Sequence, residues 1–323
     1  MLPADPLLAG ALFRFQSEQF PLGFCASVSS NSELVIAAAE QSWLGRVKIF
    51  DLPPVRIAIG VEGDEISRCA KPPVFRARGH LLSAISDPAN FVVCDLRTGE
   101  AFGWVTPATA ANTALFRYQF LEAAVLTMLE QLYLAPVHAA LVARNGAGVL
   151  LCGDSGAGKS TLALACAVAG WDFISDDGSY LIRNRADLYA VGNSHVIRLR
   201  ADAARFFTHL TDRIPMLRPN GKVGFEMFTR DAGIQIVDGA EVKHVVFLER
   251  SPTAVPQLAA DSPYKRAEYF QRTLRYGDEA VQREQNEAFR RLTSVNCWTL
   301  TYRDFEDGVR MLDLLLRERR SWS

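Results

Sequence analysis

The run Gly153-Asp154-Ser155-Gly156-Ala157-Gly158-Lys159-Ser160 fits G-x-x-x-x-G-K-[ST] without a mismatch, and Thr161 follows it. Each residue type in that pattern has a task. Glycines let the backbone fold so that successive N–H groups turn toward phosphate oxygens. A helix opening near Gly158 would add the positive end of its dipole. Lys159 would reach the β- and γ-phosphates of a nucleoside triphosphate, and the Ser160 hydroxyl would bind the Mg²⁺ that bridges them. The chemistry indicated is phosphoryl transfer, with the phosphates of a nucleoside triphosphate and Mg²⁺ as the ligands of residues 153–161.

A second cluster is acidic. Asp176-Asp177 closes the short, largely apolar run Trp171-Asp172-Phe173-Ile174-Ser175, which reads as a buried strand. A right-handed βαβ connection makes that strand parallel to the one feeding the glycine loop. Ligands of such sheets bind beyond the carboxyl ends of the strands, which sets both aspartates beside the γ-phosphate. Two tasks there need a carboxylate: holding Mg²⁺, and accepting the proton of an attacking hydroxyl. Asp-Asp-Gly is also a good turn sequence. The length of the intervening helix, which returns the strand end to the loop, favours the chemical role.

The elements that must position these groups are legible on either side. Val149-Leu150-Leu151-Cys152 is an apolar strand that ends at the loop, and the helix former TLALACAVA starts after it. HAALVAR (138–144) and GVLLCG (148–153) flank Asn145-Gly146, a favoured pair for a tight hairpin. In a two-residue loop, residue 144 pairs with 147 and His138 falls opposite Gly153; a longer loop through Gly148 moves its partner to Ser155. Either register sets His138 beside the glycine loop, where it could hydrogen-bond an aspartate or move protons near neutral pH. Farther on, strands are expected around Leu181, around Tyr189 and from Val242 to Leu248. Residues 210–235 read as a loop, 264–291 as an exposed helical region broken near Gly277, and 304–319 as a helix capped by Asp304. Arg317, Arg319 and Arg320 suit the negative end of that helix dipole.

Residues 1–110 read as a β-rich N-terminal domain, with strands at 34–36, 47–50, 55–59 and 91–94 between Pro, Gly, Asn and Asp punctuation. No catalytic motif is found there, and His80 reads as a turn residue. Residues 111–136 read as a connecting helix: Leu121, Ala124, Val125, Met128, Leu129 and Leu132 form one apolar stripe, and Pro136 is expected to stop it. The remaining residues, 137–323, form the second domain.

The chain has 323 residues, 49% of them hydrophobic and 22% charged, enough for a large core. Lys and Arg total 35 against 36 Asp and Glu, a net charge of −1, so a dedicated nucleic-acid binder is not expected. No apolar run reaches the ~20 residues a membrane helix needs, so no membrane partner is expected. The N-terminal segment lacks a basic region and carries Asp5 and Pro6, unlike a signal peptide. The six cysteines lack metal-type spacing and read as reduced core thiols, so the expected compartment is the cytoplasm.

Residues 138–177, HAALVARNGAGVLLCGDSGAGKSTLALACAVAGWDFISDD, resemble the core of bacterial HPr kinase/phosphorylase and its relatives. His138, Gly153, Ser155, Gly156, Gly158, Lys159, Ser160, Gly170, Asp176 and Asp177 all match that pattern. The resemblance implies an α/β fold, with 137–323 a P-loop kinase domain of HPr kinase type; the β-rich α+β N-terminal domain ahead of it does not resemble that of classical HPr kinases. It also implies an ATP-dependent serine kinase, with Asp176 as base toward the substrate hydroxyl and Asp177 on the metal side with Ser160. The second signature of classical HPr kinases, an Arg-Gly-Leu-Gly-like segment, is not found; 190–206 stands there, with Arg198 and Arg200 placed where cations could serve. The GKST ending and the V-G-x-S-x-x-x-R-L stretch (191–199) are more similar to divergent relatives. Some of those phosphorylate a serine of a ribosomal precursor peptide, as in lasso-peptide pathways. The expected partner is therefore a protein or peptide with a serine acceptor, and the hexamers of HPr kinases suggest a homo-oligomer by analogy. A small-molecule kinase and a nucleotide-binding regulator with little catalysis are the alternatives.

Overall fold

The computed structural model describes residues 13–64, 68–201, 203, 207, 215–217, 223–262, 269–270 and 277–317. The chain divides into two compact units, Met1–Leu132 with Tyr276–Val281, and Tyr133–Arg275 with Gln282–Ser323. Among the described residues no helix is long and apolar enough to cross a membrane.

The first unit is built on a seven-stranded mixed sheet. Its chain order is β1 (Phe15–Gln19), β2 (Ala26–Ser30), α1 (Glu33–Ser42), β3 (Val55–Val61), β4 (Val74–Arg78), β5 (Leu81–Asp87), β6 (Asn90–Asp95), β7 (Glu100–Val105), α2 (Pro107–Ala111), α3 (Thr113–Phe116), a π-helical turn (Arg117–Leu121) and α4 (Glu122–Leu132). Across the sheet the strands run β1-β2-β3-β7-β6-β5-β4. β2, β3 and β7 are parallel and the other pairs antiparallel. Residues of period two on one face, among them Val28, Ile57, Val92, Cys94 and Leu82, are buried. Helix α1 packs on β1 and β2, and α4 on β3 and β6.

Two of the four expected strands form here, as β3 and β6. Residues 34–36 belong instead to helix α1. Ser32 caps that helix by accepting the Leu34 N–H at 3.3 Å, and Val35, Ala38 and Ala39 give it a buried stripe at helical spacing. Residues 47–50 form no strand; the Ile49 and Phe50 N–H groups both donate to the Gly23 carbonyl. The 121–132 stripe is helical, but the helix ends at Leu132 and Pro136 lies inside the next strand. That strand is at a sheet edge, where the missing N–H of proline is tolerated.

The second unit contains β8 (Leu134–His138), β9 (Ala140–Arg144), β10 (Ala147–Cys152), α5 (Lys159–Val168), β11 (Asp172–Ser175), β12 (Gly178–Ile182), β13 (Tyr189–Gly192), β14 (Val196–Arg200), β15 (Met216–Leu217), β16 (Val223–Phe228), β17 (Gly239–Arg250), β18 (Gln257–Ala260), α6 (Glu279–Leu292, in this unit from Gln282), β19 (Asn296–Tyr302) and α7 (Phe305–Arg317). The large sheet runs β11-β9-β10-β17-β13-β12-β8, with β19 also on β17 and β18 on β19. Strands β10, β17 and β19 are mutually parallel. The run Val149–Cys152 is apolar throughout because both of its faces are buried. Val149 and Leu151 meet a cluster that includes Leu162, Phe305 and Leu312, while Leu150 and Cys152 meet one that includes Phe289 and Leu292.

The Asn145-Gly146 turn forms with both residues at positive φ and Arg144 opposite Ala147, as the dipeptide requires. Within 210–235, expected to be a loop, Val223–Phe228 is a strand paired with β14. Its alternation buries Phe225 and Met227. Asp304 caps α7 through the Asp307 N–H at 2.9 Å. Arg319 and Arg320 lie outside the described residues. All six cysteines are free thiols, and Cys69 alone is exposed.

Helix α7 is fastened to the sheet at Asp313. Its Oδ1 accepts the indole N–H of the fully buried Trp171 at 3.0 Å and pairs with Arg144. Asp313→Ala orphans that N–H, at a cost of about 1–3 kcal/mol. A thermal melt is expected to show a Tm lower by roughly 2–4 °C per kcal/mol.

Candidate functional site

The glycine loop spans the gap between the end of β10 at Cys152 and the start of α5 at Lys159. Gly156 and Gly158 have φ of +94° and +97°, a region that side chains disfavour. A Cβ on Gly158 would stand 2.6 Å from the Tyr302 hydroxyl. Tyr302 ends β19, and its hydroxyl donates to the Ala157 carbonyl at 3.1 Å, holding the loop from below. Gly158→Ala therefore meets backbone strain and a clash together. The expected result is a loss of about 1–3 kcal/mol of stability, read by thermal melt.

A second tyrosine holds the loop's entry. The Tyr269 hydroxyl donates to the His138 carbonyl at 2.5 Å and accepts the Gly153 N–H at 3.2 Å. Burial raises its pKa, so it stays a protonated donor. Neither tyrosine belongs to a sequence motif. Tyr302 becomes legible only once β19 is known to lie beside β17.

Lys159 is almost fully buried. Its Nζ donates to the Gly153 carbonyl at 2.8 Å and lies 3.4 Å from the Asp154 carbonyl and 3.3 Å from His138 Nε2. An ammonium cannot accept, so Nε2 must be the acceptor and the ring proton resides on Nδ1. His138 Nδ1 faces Asp177 Oδ1 at 3.3 Å. His138 thus connects the loop lysine to the acidic pair.

His138 lies just beyond the hairpin ladder. The hairpin register of 144 with 147 holds, but β9 begins only at Ala140. His138 is the last residue of β8 and pairs with Gly178 of β12. The strand bends at Ala139, whose N–H turns back to the Val137 carbonyl at 2.8 Å. The His138 carbonyl and the Gly153 N–H share the Tyr269 hydroxyl, so the histidine stands beside Gly153 as the two-residue hairpin register predicts, although the ladder itself stops at Ala140.

Asp176 and Asp177 form the bend between β11 and β12. β11 runs in the same direction as β10, with β9 between them, so the bend and the glycine loop share one end of the sheet. Asp177 is exposed, whereas Asp176 is 5% exposed. The Asp176 Oδ2 accepts the Arg198 N–H at 2.5 Å. Burial pushes its pKa up to about 6, against the lowering effect of the Arg198 charge and N–H, and the neighbouring Asp177 charge adds to the rise. The Arg198 side chain is turned to Glu226, 3.1 Å from its Nε. Arg200 extends toward the loop, its Nη1 3.3 Å from where a Cβ on Gly156 would stand.

Asp154, Ser155 and Gly156 are exposed at the crown of the loop, and Ala157, Ser160 and Thr161 are partly buried. The first turn of α5 points its N–H groups toward this crown, the arrangement that binds anions at helix N-termini.

The family model described as SynChlorMet cassette protein ScmC matches residues 105–196. That stretch contains the glycine loop and both aspartates and is less than a third of the chain. Among solved structures, the Hpr(Ser) kinase/phosphatase from Coxiella burnetii is similar at 15% identity, over 57% of this chain and 95% of that one, with a TM-score of 0.31. At that TM-score the likeness assigns neither fold nor activity. Among curated proteins, none matches the chain.

Proposed function

We propose that the second unit is an ATP-dependent kinase that transfers the γ-phosphoryl group to a serine hydroxyl of a protein or peptide. The observation that carries this reading is the chain of contacts Lys159–His138–Asp177, which joins the glycine loop to the acidic pair. A chance glycine turn followed by a lysine has no reason to carry it.

In this reading, the loop N–H groups and the first turn of α5 bind the triphosphate. Lys159 leaves the Gly153 carbonyl and turns to the β- and γ-phosphates, where its charge offsets the charge that develops in transfer. Asp176 takes the proton of the serine hydroxyl as the new O–P bond forms and the bond to the β-phosphate oxygen breaks, releasing ADP. A carboxylate with a pKa near 6 is ionised at neutral pH yet basic enough to accept that proton. Arg200 adds a cation at the loop crown. Among the described residues no three His, Cys, Asp or Glu side chains gather around a metal position. Mg²⁺ would be held by Ser160, Asp177 and phosphate oxygens, and would supply Lewis-acid neutralisation of the phosphates.

Parallel incubations with labelled Mg·ATP test the acceptor class, one with serine-containing peptides and one with a panel of metabolite alcohols. Label on peptide serine supports the proposal. Label on the alcohols alone would make the chain a small-molecule kinase.

A further inference from the structure

Strand β4 is an edge of the first unit's sheet, with β5 on its inner side. All five of its residues are exposed, and its pairing with β5 has no bulge. Edge strands in natural proteins are commonly shortened, bulged, covered or given charged side chains, since an open edge is a template for another strand. Of these devices β4 is short and carries the charges of Arg76 and Arg78, which repel a like-charged strand and leave the edge open to an acidic one. Here Val74, Arg76 and Arg78 share one face and stand opposite Ile85, Ser83 and Leu81 of β5. Val74 is 59% exposed, and Leu81 and Ile85 45% and 43%. The face therefore mixes three exposed apolar side chains with Ser83 and the guanidinium groups of Arg76 and Arg78, and no carboxylate of the described residues is paired with those groups.

We propose that β4 is a docking edge for an extended segment of a partner polypeptide in which acidic and apolar residues alternate. Such a segment adds a strand to the sheet through backbone hydrogen bonds, and its side chains on the Val74 face give specificity. An acid opposite Arg76 or Arg78 makes a favourable cross-strand pair, and an apolar residue opposite Val74 continues the face formed with Ile85. Charge disfavours a second copy of this chain as the occupant. A two-fold antiparallel pairing over the whole strand sets Val74 against Arg78 and Arg76 against itself, and like charges directly opposite repel. This docking edge is read by binding alone, so it stands or falls separately from phosphoryl transfer.

The test uses the full chain and a short fluorescein-labelled peptide of alternating valine and glutamate, followed by fluorescence anisotropy. A valine–lysine counterpart and a backbone N-methylated valine–glutamate peptide serve as comparisons. The wild type is expected to bind the glutamate peptide, and to bind both comparison peptides roughly tenfold or more weaker. Arg76→Glu with Arg78→Glu should reverse the preference between glutamate and lysine. A melting temperature matching wild type confirms that this exposed double variant is folded. Equal binding of all three peptides, or a preference that survives the charge reversal, would overturn the proposal. So would sedimentation showing a dimer that the double variant abolishes, since the edge would then belong to a second copy.

Discussion

Lys159→Ala is expected to eliminate phosphoryl transfer, with a loss of roughly a thousandfold or more, and to weaken Mg·ATP binding. The buried ammonium has contacts that already span the loop carbonyl of Gly153 and the imidazole of His138. Without it the triphosphate loses its buried cation, and only Mg²⁺ and Arg200 would remain to offset the charge that builds on the γ-phosphoryl group. Arginine is not an adequate replacement. Its planar fork cannot occupy the space of a compact ammonium enclosed by two carbonyls and a ring nitrogen. Titration with ATP and steady-state kinetics of both variants check the result; wild-type turnover by either would remove Lys159 from the mechanism.

Asp176→Asn has the opposite effects on activity and stability. Transfer should fall by roughly 10²–10⁴-fold, the usual contribution of a positioned base, while ATP binding stays near wild type because Asp176 is not part of the loop. Stability should rise. The Asp176 carboxyl, ordinarily ionising near 3.8, is pushed by burial to about 6. At low pH it is protonated in both the folded and unfolded chain and costs nothing. As pH rises from 3.8 to about 6 the unfolded chain ionises first, so stability is lost, and above about 6 the loss is complete. A shift of this size corresponds to about 3 kcal/mol at most. Asparagine carries no charge and keeps an oxygen for the Arg198 N–H. Without nucleotide or Mg²⁺, the variant should melt several degrees higher than wild type near neutral pH, and the gap should close as pH falls. A variant that melts lower at neutral pH would show that the carboxylate is held there for structure.

The site was legible where chemistry demands particular residue types in sequence, and obscure where strand order alone brings groups together. Gly153 to Ser160 and Asp176-Asp177 stand out because the proposed phosphate binding and proton transfer would restrict which residues can serve. The Asn145-Gly146 turn was equally readable, since both residues must adopt positive φ. His138 stands beside Gly153 as the hairpin register predicts, but its pairing with Gly178 and the bend at Ala139 that hands the chain from one strand pair to another were not legible. Nothing local encodes such a bend. Tyr269 and Tyr302 are separated from the loop by over a hundred residues and touch it only through the fold. In the first unit, Leu34-Val35-Ile36 has the composition of a strand, but Ser32 and the alanines after it select a helix. The exposed strand Val74–Arg78 carries no motif, and its openness is a property of the sheet order.

The measurement closest to the central claim is a single-turnover incubation of γ-labelled Mg·ATP with serine peptides, comparing wild type and Asp176→Asn, with residue-level mass spectrometry of the products. Phosphoserine formed by the wild type, and its absence with a variant that still binds ATP, is the predicted result. Wild-type protein that binds ATP tightly and labels no acceptor would contradict the account and make the chain a nucleotide-binding regulator.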